Sequence, residues 1–124
     1  MGARAVAAVL SFGLLAAAPA DSAEQVPDRV MARGSEFNIV LSKAKLKPGR
    51  VIVQFVNAGE DPHDLRLQRV GDETEFGVGE IGPGEVENLD TRLKKHSTYV
   101  LWCSLSDHRQ RGMEATLRTR KRRA

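Results

Sequence analysis

Cys103, His108 and Met113 are the residues of this chain whose types and spacing best suit chemistry. Cys103 is the only cysteine among 124 residues, and four residues separate it from His108, as four separate His108 from Met113. A thiolate, an imidazole and a thioether this close together indicate a metal ion that tolerates sulfur ligands. A second imidazole would complete the set, and His63 is the candidate upstream.

The alternation of side chains explains how these residues can meet. Residues 98–103 and 113–118 are predicted strands, and Cys103 ends the inward face of the first. An antiparallel pairing puts the end of one strand beside the start of the next, so Cys103 and Met113 would be neighbours. His108 lies in the loop between them. We therefore expect the candidate ligands to converge at one end of a sheet.

The rest of the sequence is typical of short strands joined by turns. Residues 71–84 are expected to form a long connection with at most one short strand, and helical periodicity is poor. Period-two alternation or β-branched composition predicts further strands at residues 36–42, 51–57, 64–69 and 86–93. This pattern favours an all-β sandwich or small barrel. In it, His63 would lie where a loop leads back into the sheet.

Residues 1–20 have the composition of an export signal. Arg4 precedes an apolar run rich in alanine, valine and leucine, and small residues surround a potential cleavage point at Ala20 or Ala23. The run is shorter than the roughly 20 residues that a membrane-spanning helix needs, which favours a cleaved signal peptide over an anchor. We therefore expect a periplasmic or extracellular protein.

The remaining chain is long enough for one domain with a modest core. We assign residues 21–34 to a polar leader, residues 35–118 to the domain and residues 119–124 to a basic tail. An unpaired cysteine in an oxidising compartment is a liability unless it is buried or ligated. The isolation of Cys103 therefore supports a chemical role for it.

The formal net charge of +3 is unevenly distributed, because five of the last seven residues are lysine or arginine. The domain before them is mildly acidic. Nucleic-acid binding is not expected, since an exported domain with this sequence has no evident stacking platform. The basic tail leaves open a weak contact with a membrane surface.

Taken together, these features resemble the blue copper, or cupredoxin, family, which includes plastocyanins and azurins. The similarity extends over most of the domain, through the motifs Leu46-x-Pro48-Gly49, Val53-x-Phe55-x-Asn57-x-Gly59, Pro62-His63, Gly82-x-Gly84, Tyr99-x-x-x-Cys103, His108 and Gly112-Met113. The resemblance implies a Greek-key β-sandwich and one type 1 copper ion bound by His63, Cys103, His108 and Met113. It also implies that the edge of the His108 ring is where electrons leave.

Two further residues follow ligands directly. Asp64 comes after His63 and Ser104 comes after Cys103, so a hydrogen bond between them would hold the two ligand segments together. Zinc is the competing ion for two histidines and a cysteine, but thioether ligation is not typical of zinc sites. His96 lies in a lysine-rich turn and is given no metal role.

The resemblance favours a monomeric electron carrier that works with a redox partner protein. A copper-delivering carrier would use the same residues, and a metal-free β-sandwich acting through its basic tail is the alternative from another class. We do not expect an enzyme, because four protein ligands leave no open position on the metal for substrate.

Overall fold

The computed structural model of the chain describes residues 2–14 and 25–122. Within these ranges it contains nine strands and no helix. The strands are β1 (Asp28–Ser35), β2 (Asn38–Leu41), β3 (Lys45–Leu46), β4 (Gly49–Asn57), β5 (His63–Arg69), β6 (Glu75–Ile81), β7 (Val86–Leu93), β8 (Thr98–Trp102) and β9 (Glu114–Thr119).

The strands form two sheets, with the orders β2-β1-β4-β7 and β3-β9-β8-β5-β6. The chain passes from one sheet to the other at five of its connections, as a Greek-key sandwich requires. Alternate side chains of the central strands fill the space between the sheets. Those of Phe55 on β4, Leu67 on β5 and Leu101 on β8 are fully buried, each contributing roughly 1.5–3 kcal/mol by burial. The predicted all-β sandwich is confirmed.

Strand β1 corrects the predicted polar leader. Residues 28–34, assigned to the leader, pair in parallel with β4 and begin the domain seven residues earlier than expected. The inward positions of β1 are Val30, Ala32 and Gly34. Because two of these side chains are small or absent, the alternation that marks a strand was hard to see in the sequence.

Strand β6 is longer than the short strand expected within residues 71–84. It pairs antiparallel with β5 although it contains Gly77 and Gly79. A Cβ at Gly77 would overlap the main-chain carbonyl of Leu65, so the glycine permits the close approach of the two strands. Glycine is uncommon in strands, which is why residues 71–84 were expected to be mostly a connection. Here Gly77 and Gly79 belong to the strand that pairs with β5.

The boundary between domain and basic tail also needs correction. Thr119, the first predicted tail residue, belongs to β9 and is buried, with its hydroxyl donating to the carbonyl of Lys94 at 2.6 Å. Arg120 is also attached to the domain, because its N–H donates to the carbonyl of Leu46 at 2.9 Å. The tail therefore begins after residue 120.

Residues 2–14 are exposed and contain neither helix nor strand. The predicted cleavage points at Ala20 and Ala23 lie outside the described residues. In the part of the chain that the structure describes, no helix is long and apolar enough to cross a membrane.

Candidate metal centre

His63, Cys103 and His108 meet at one end of the sandwich. Sγ of Cys103 lies 3.5 Å from Nδ1 of His108 and 3.8 Å from Nδ1 of His63, and the two Nδ1 atoms are 3.2 Å apart. His63 and Cys103 are fully buried, whereas His108 is 9% exposed. The tertiary structure thus brings together three of the four predicted ligands through their donor atoms.

Met113, the fourth predicted ligand, is joined to this cluster through its main chain. Its N–H donates to the carbonyl of His108 at 3.1 Å, and its carbonyl accepts from the N–H of Cys103 at 3.2 Å. The Met113 side chain is fully buried, with its methyl group against Gly34. Gly112 has a φ of 117°, which side-chain-bearing residues rarely adopt, so glycine is needed just before Met113.

His63 is the first residue of β5 and is positioned by the loop that follows β4. The buried Asn57 side chain at the end of β4 organises this loop. Its Nδ2 donates to the carbonyls of Asp61 at 2.8 Å and Ile81 at 3.1 Å, while its Oδ1 accepts from the N–H of Gly59 at 2.9 Å. These bonds satisfy a buried amide and fix the path of the chain into His63.

Asp64 and Ser104 link the two ligand segments, as predicted from their positions. The Asp64 carboxylate accepts the N–H of Ser104 at 2.7 Å and also a short hydrogen bond from the Ser104 hydroxyl. The antiparallel pairing of β5 with β8, in which Arg66 lies opposite Trp102, continues toward Asp64 and Ser104 and brings them together. The contact therefore ties one ligand to the other across the sheet.

Glu36 is a residue of the site that sequence reasoning missed. The prediction placed it at the start of a strand over residues 36–42, but it lies in the turn between β1 and β2, with Oε1 2.9 Å from Nε2 of His63. The same carboxylate accepts the N–H groups of Glu60 at 2.9 Å and Asp61 at 2.7 Å. A proton on Nε2 that binds Glu36 leaves Nδ1 of His63 to face Cys103 as a lone-pair donor.

Two titratable groups of the centre have shifted pKa values. Hydrogen bonds lower the pKa of the Glu36 carboxyl from an ordinary 4.5 to about 2. The strongest comes from the N–H of Asp61, and the N–H of Glu60 and the His63 ring add to it. Together they outweigh desolvation, which acts to raise the pKa. Burial raises the pKa of the Cys103 thiol. At neutral pH Glu36 is therefore charged, and a metal must displace the thiol proton when it binds.

The donor set fits one copper ion. Donors held about 2.0–2.3 Å from a single first-row ion stand roughly 3–4 Å apart, in agreement with the separations of 3.2, 3.5 and 3.8 Å. One thiolate and two imidazoles, with a buried methionine bonded to both segments, are typical of type 1 copper and not of structural zinc. Among the described residues, this is the one group of histidine, cysteine and carboxylate side chains found close enough to hold a metal ion.

His108 is the member of the cluster that reaches the surface. Its ring centroid lies 5.1 Å from that of Phe37, and the guanidinium of Arg111 covers the Phe37 ring at 4.9 Å. Trp102 packs nearby on the outer side of β8, 6% exposed, with Arg109 4.4 Å above its ring. His108 is therefore the most exposed of the three donor residues, at 9%.

Comparisons with known proteins give the fold independently of the site. No family model and no curated protein matches the chain. Among solved structures, auracyanin B has a TM-score of 0.62 at 19% identity, covering 77% of this chain and 91% of its own. Reduced auracyanin from the photosynthetic bacterium Roseiflexus castenholzii has a TM-score of 0.59 at 16% identity, covering 77% and 98%. A copper-containing nitrite reductase from Thermus scotoductus scores 0.52 at 14% identity, covering 78% of this chain and 32% of its own.

The chain therefore has the cupredoxin fold. At one end of that fold, its histidine and cysteine donors form a centre for one type 1 copper ion.

Proposed function

We propose that this protein is a small blue copper protein that carries single electrons. The observation that carries the proposal is the donor cluster of His63, Cys103 and His108, with separations of 3.2–3.8 Å and with His108 slightly exposed. Copper bound there would supply one-electron chemistry by alternating between Cu(I) and Cu(II). Met113 is proposed as the weak axial ligand of the set.

The surrounding residues suit this role because they hold the donors in place. Main-chain hydrogen bonds join Met113 to both Cys103 and His108, and Asp64 joins the segment of His63 to that of Cys103. Donors fixed in this way move little when the charge of the centre changes. Small rearrangement favours fast electron exchange, and burial keeps water and substrates away from the donors.

An electron carrier explains the site better than an enzyme does. Four protein ligands leave no open position at which a substrate could bind. The chain also covers 98% and 91% of the two auracyanins but only 32% of the nitrite reductase, so it corresponds to one part of that enzyme. We therefore propose a protein that exchanges electrons and performs no substrate chemistry.

The proposed working form is an exported monomer in the periplasm or extracellular space, after loss of residues 1–20. Its partner is a redox protein that approaches the exposed edge of His108. The surface around this ring supports the assignment, because Phe37 and the stacked Arg111 frame it.

Addition of Cu(II) to the purified protein, followed by visible absorption spectroscopy, tests the function. We expect an intense thiolate-to-copper band that bleaches on reduction and returns on oxidation. Cys103→Ser should abolish the band, and His96→Gln, a histidine substitution at the far end of the sandwich, should leave it unchanged. A colourless wild-type protein, or colour that survives Cys103→Ser, would contradict the proposal.

A second measurement separates electron transfer from copper delivery. Stopped-flow mixing with a small redox protein should show rapid electron exchange while copper stays bound in the presence of a chelator. Rapid loss of copper to the chelator together with slow redox cycling would instead identify a copper-delivering protein.

A further inference from the structure

The end of the sandwich opposite the metal centre carries a dense group of cations. Three segments meet there: β3, the turn between β7 and β8, and the residues from the end of β9 onward. Main-chain hydrogen bonds connect them, from Arg120 to Leu46 at 2.9 Å and from His96 to Arg120 at 2.8 Å. We call their exposed cationic side chains the basic pole: Lys45, Lys94, Lys95, Arg118, Arg120 and Lys121.

The basic pole is part of the folded domain and not only of a tail. Lys45 and Arg118 are register partners on neighbouring strands, so their side chains leave the same face of the sheet. Lys94 is tied to β9 because its carbonyl accepts the Thr119 hydroxyl at 2.6 Å. The cations are therefore held close together although they are far apart in sequence.

These charges are not neutralised within the described part of the chain. None of the six basic-pole side chains takes part in an ion pair there. Asp72 is within electrostatic reach of Lys94, but its ion pair is with Arg69 at 3.9 Å. Asp28 is likewise occupied, by Lys43 and the N–H of Lys47. The pole thus presents a net positive surface.

Two arginines beside the metal centre differ from the basic pole in being paired. Arg109 pairs with Glu114 at 3.3 Å, and Arg111 pairs with Asp107 at 2.7 Å. Strand β8 runs from the basic pole to Cys103, a span of roughly 17 Å at 3.3 Å per residue. The basic pole and the copper donors therefore lie at opposite ends of the molecule.

An exposed apolar residue accompanies the cations. Val70 is 60% exposed, and its N–H donates to the carbonyl of Thr98 at the start of β8, which places it at the same end. Clustered lysines and arginines bind anionic headgroups, and an adjacent apolar side chain gains by entering the interface. We propose that the basic pole binds anionic lipid headgroups and holds the protein on a bilayer with its metal centre facing away.

A lipid surface suits this pole better than an acidic redox protein does. A redox protein bound there would be separated from Cys103 by the length of β8, whereas His108, the most exposed donor residue, lies at the other end. Binding to a bilayer, unlike electron transfer, does not require the bound surface to be near the metal centre. Binding at the basic pole also leaves His108 open to a partner in solution.

Vesicle sedimentation of the full chain tests the proposal. We expect binding to phosphatidylcholine vesicles that contain phosphatidylglycerol, weakening as salt is added. Binding to pure phosphatidylcholine vesicles shows how much the apolar N-terminal segment contributes. That segment has the same sequence in every variant. Lys94→Glu/Lys95→Glu should weaken the phosphatidylglycerol-dependent binding by at least about tenfold, because each cation near such a surface contributes several-fold.

Arg33→Glu/Arg109→Glu is the matched control. Arg33 is an exposed residue of β1 next to Gly34, which lies against Met113, and Arg109 follows His108, so this variant makes the same change in net charge near the metal centre. It should retain most of the binding. Equal losses in the two double variants, or wild-type binding that does not depend on phosphatidylglycerol at low salt, would overturn the proposal. A third outcome, in which the lysine pair leaves vesicle binding intact but slows electron exchange with an acidic redox protein, would identify a protein-docking surface instead.

Discussion

The carboxylate of Glu36 lies 2.9 Å from Nε2 of His63, on the side of the ring that faces away from Cys103. A carboxylate in this position orients a ligand histidine and makes it a stronger donor to metal. Glu36 belongs to the turn between β1 and β2, in the sheet that does not contain His63. The centre is therefore supported from both sheets of the sandwich.

Replacement of Glu36 by glutamine removes the charge and keeps an oxygen that can accept hydrogen bonds. We expect a higher reduction potential, because the negative charge favours Cu(II) over Cu(I), and copper affinity lower by about 10–100-fold. Redox titration of the visible band and competition with a chelator measure the two effects. Glu60→Gln, at an exposed neighbour, should change neither, and an unaltered potential in Glu36→Gln would refute the role of the carboxylate.

Gly59→Ala tests the same contact from the other side. A Cβ at Gly59 would overlap both carboxylate oxygens of Glu36, and since these are the end of a flexible side chain, the carboxylate should be pushed away from His63. The potential and copper affinity should shift in the same direction as in Glu36→Gln. Gly79→Ala, where an added Cβ meets no atom, is the control. Unchanged copper properties in Gly59→Ala would show that Glu36 can act from elsewhere.

Met113→Leu distinguishes a ligand from a core residue. Leucine fills a similar volume, so the free energy of unfolding of the copper-free protein should fall by less than about 1.5 kcal/mol. The reduction potential should rise, because the oxidised ion loses a donor. Met31→Leu makes the same change at a 41% exposed site and should have no effect on the potential. Met113→Ala should lower the free energy of unfolding by about 2–5 kcal/mol, because it leaves a cavity in the core.

Asp64→Ala removes the acceptor of two hydrogen bonds from Ser104. We expect a loss of about 1–3 kcal/mol in the free energy of unfolding, since two hydrogen bonds from Ser104 to a buried carboxylate are lost. Copper affinity should fall by about 10–100-fold, because the segments of His63 and Cys103 are no longer tied together. Urea denaturation and chelator competition provide the measurements. Glu73→Ala, at an exposed position, should behave as wild type.

Asp28 gives the fold a predictable response to acid. Burial acts to raise the pKa of its carboxyl, but hydrogen bonds from Lys43 and the N–H groups of Lys47 and Arg29 together lower it below the ordinary 3.8. Because the folded-state pKa is depressed, the stabilisation is present above 3.8 and is lost as the pH falls through the lowered value.

Asp28→Asn should accordingly be less stable than wild type at neutral pH, by about 1–3 kcal/mol. The difference should shrink as the pH falls below 3.8 and the wild-type carboxyl takes up its proton. Urea denaturation of both copper-free proteins across this range is the measurement. A difference that stays constant into strong acid would exclude the carboxylate as its source.

The ligand types and the strands beside them were predictable because both leave local patterns. Cys103, His108 and Met113 share one connection, and the alternation before Cys103 shows which way its side chain faces. Strand β1 was missed because its inward side chains are small. Residues 119 and 120 were assigned to a tail because local charge does not reveal main-chain pairing with β3 and the β7–β8 turn.

From the sequence alone follow an all-β chain and a set of donors suited to copper, since residue type and period-two alternation are local properties. Only the tertiary structure decided that Glu36 supports His63 and that six cations gather opposite the metal centre. Both features join segments distant in sequence through turns and strand registers. Those arrangements depend on how the two sheets pack, which no short stretch of sequence specifies.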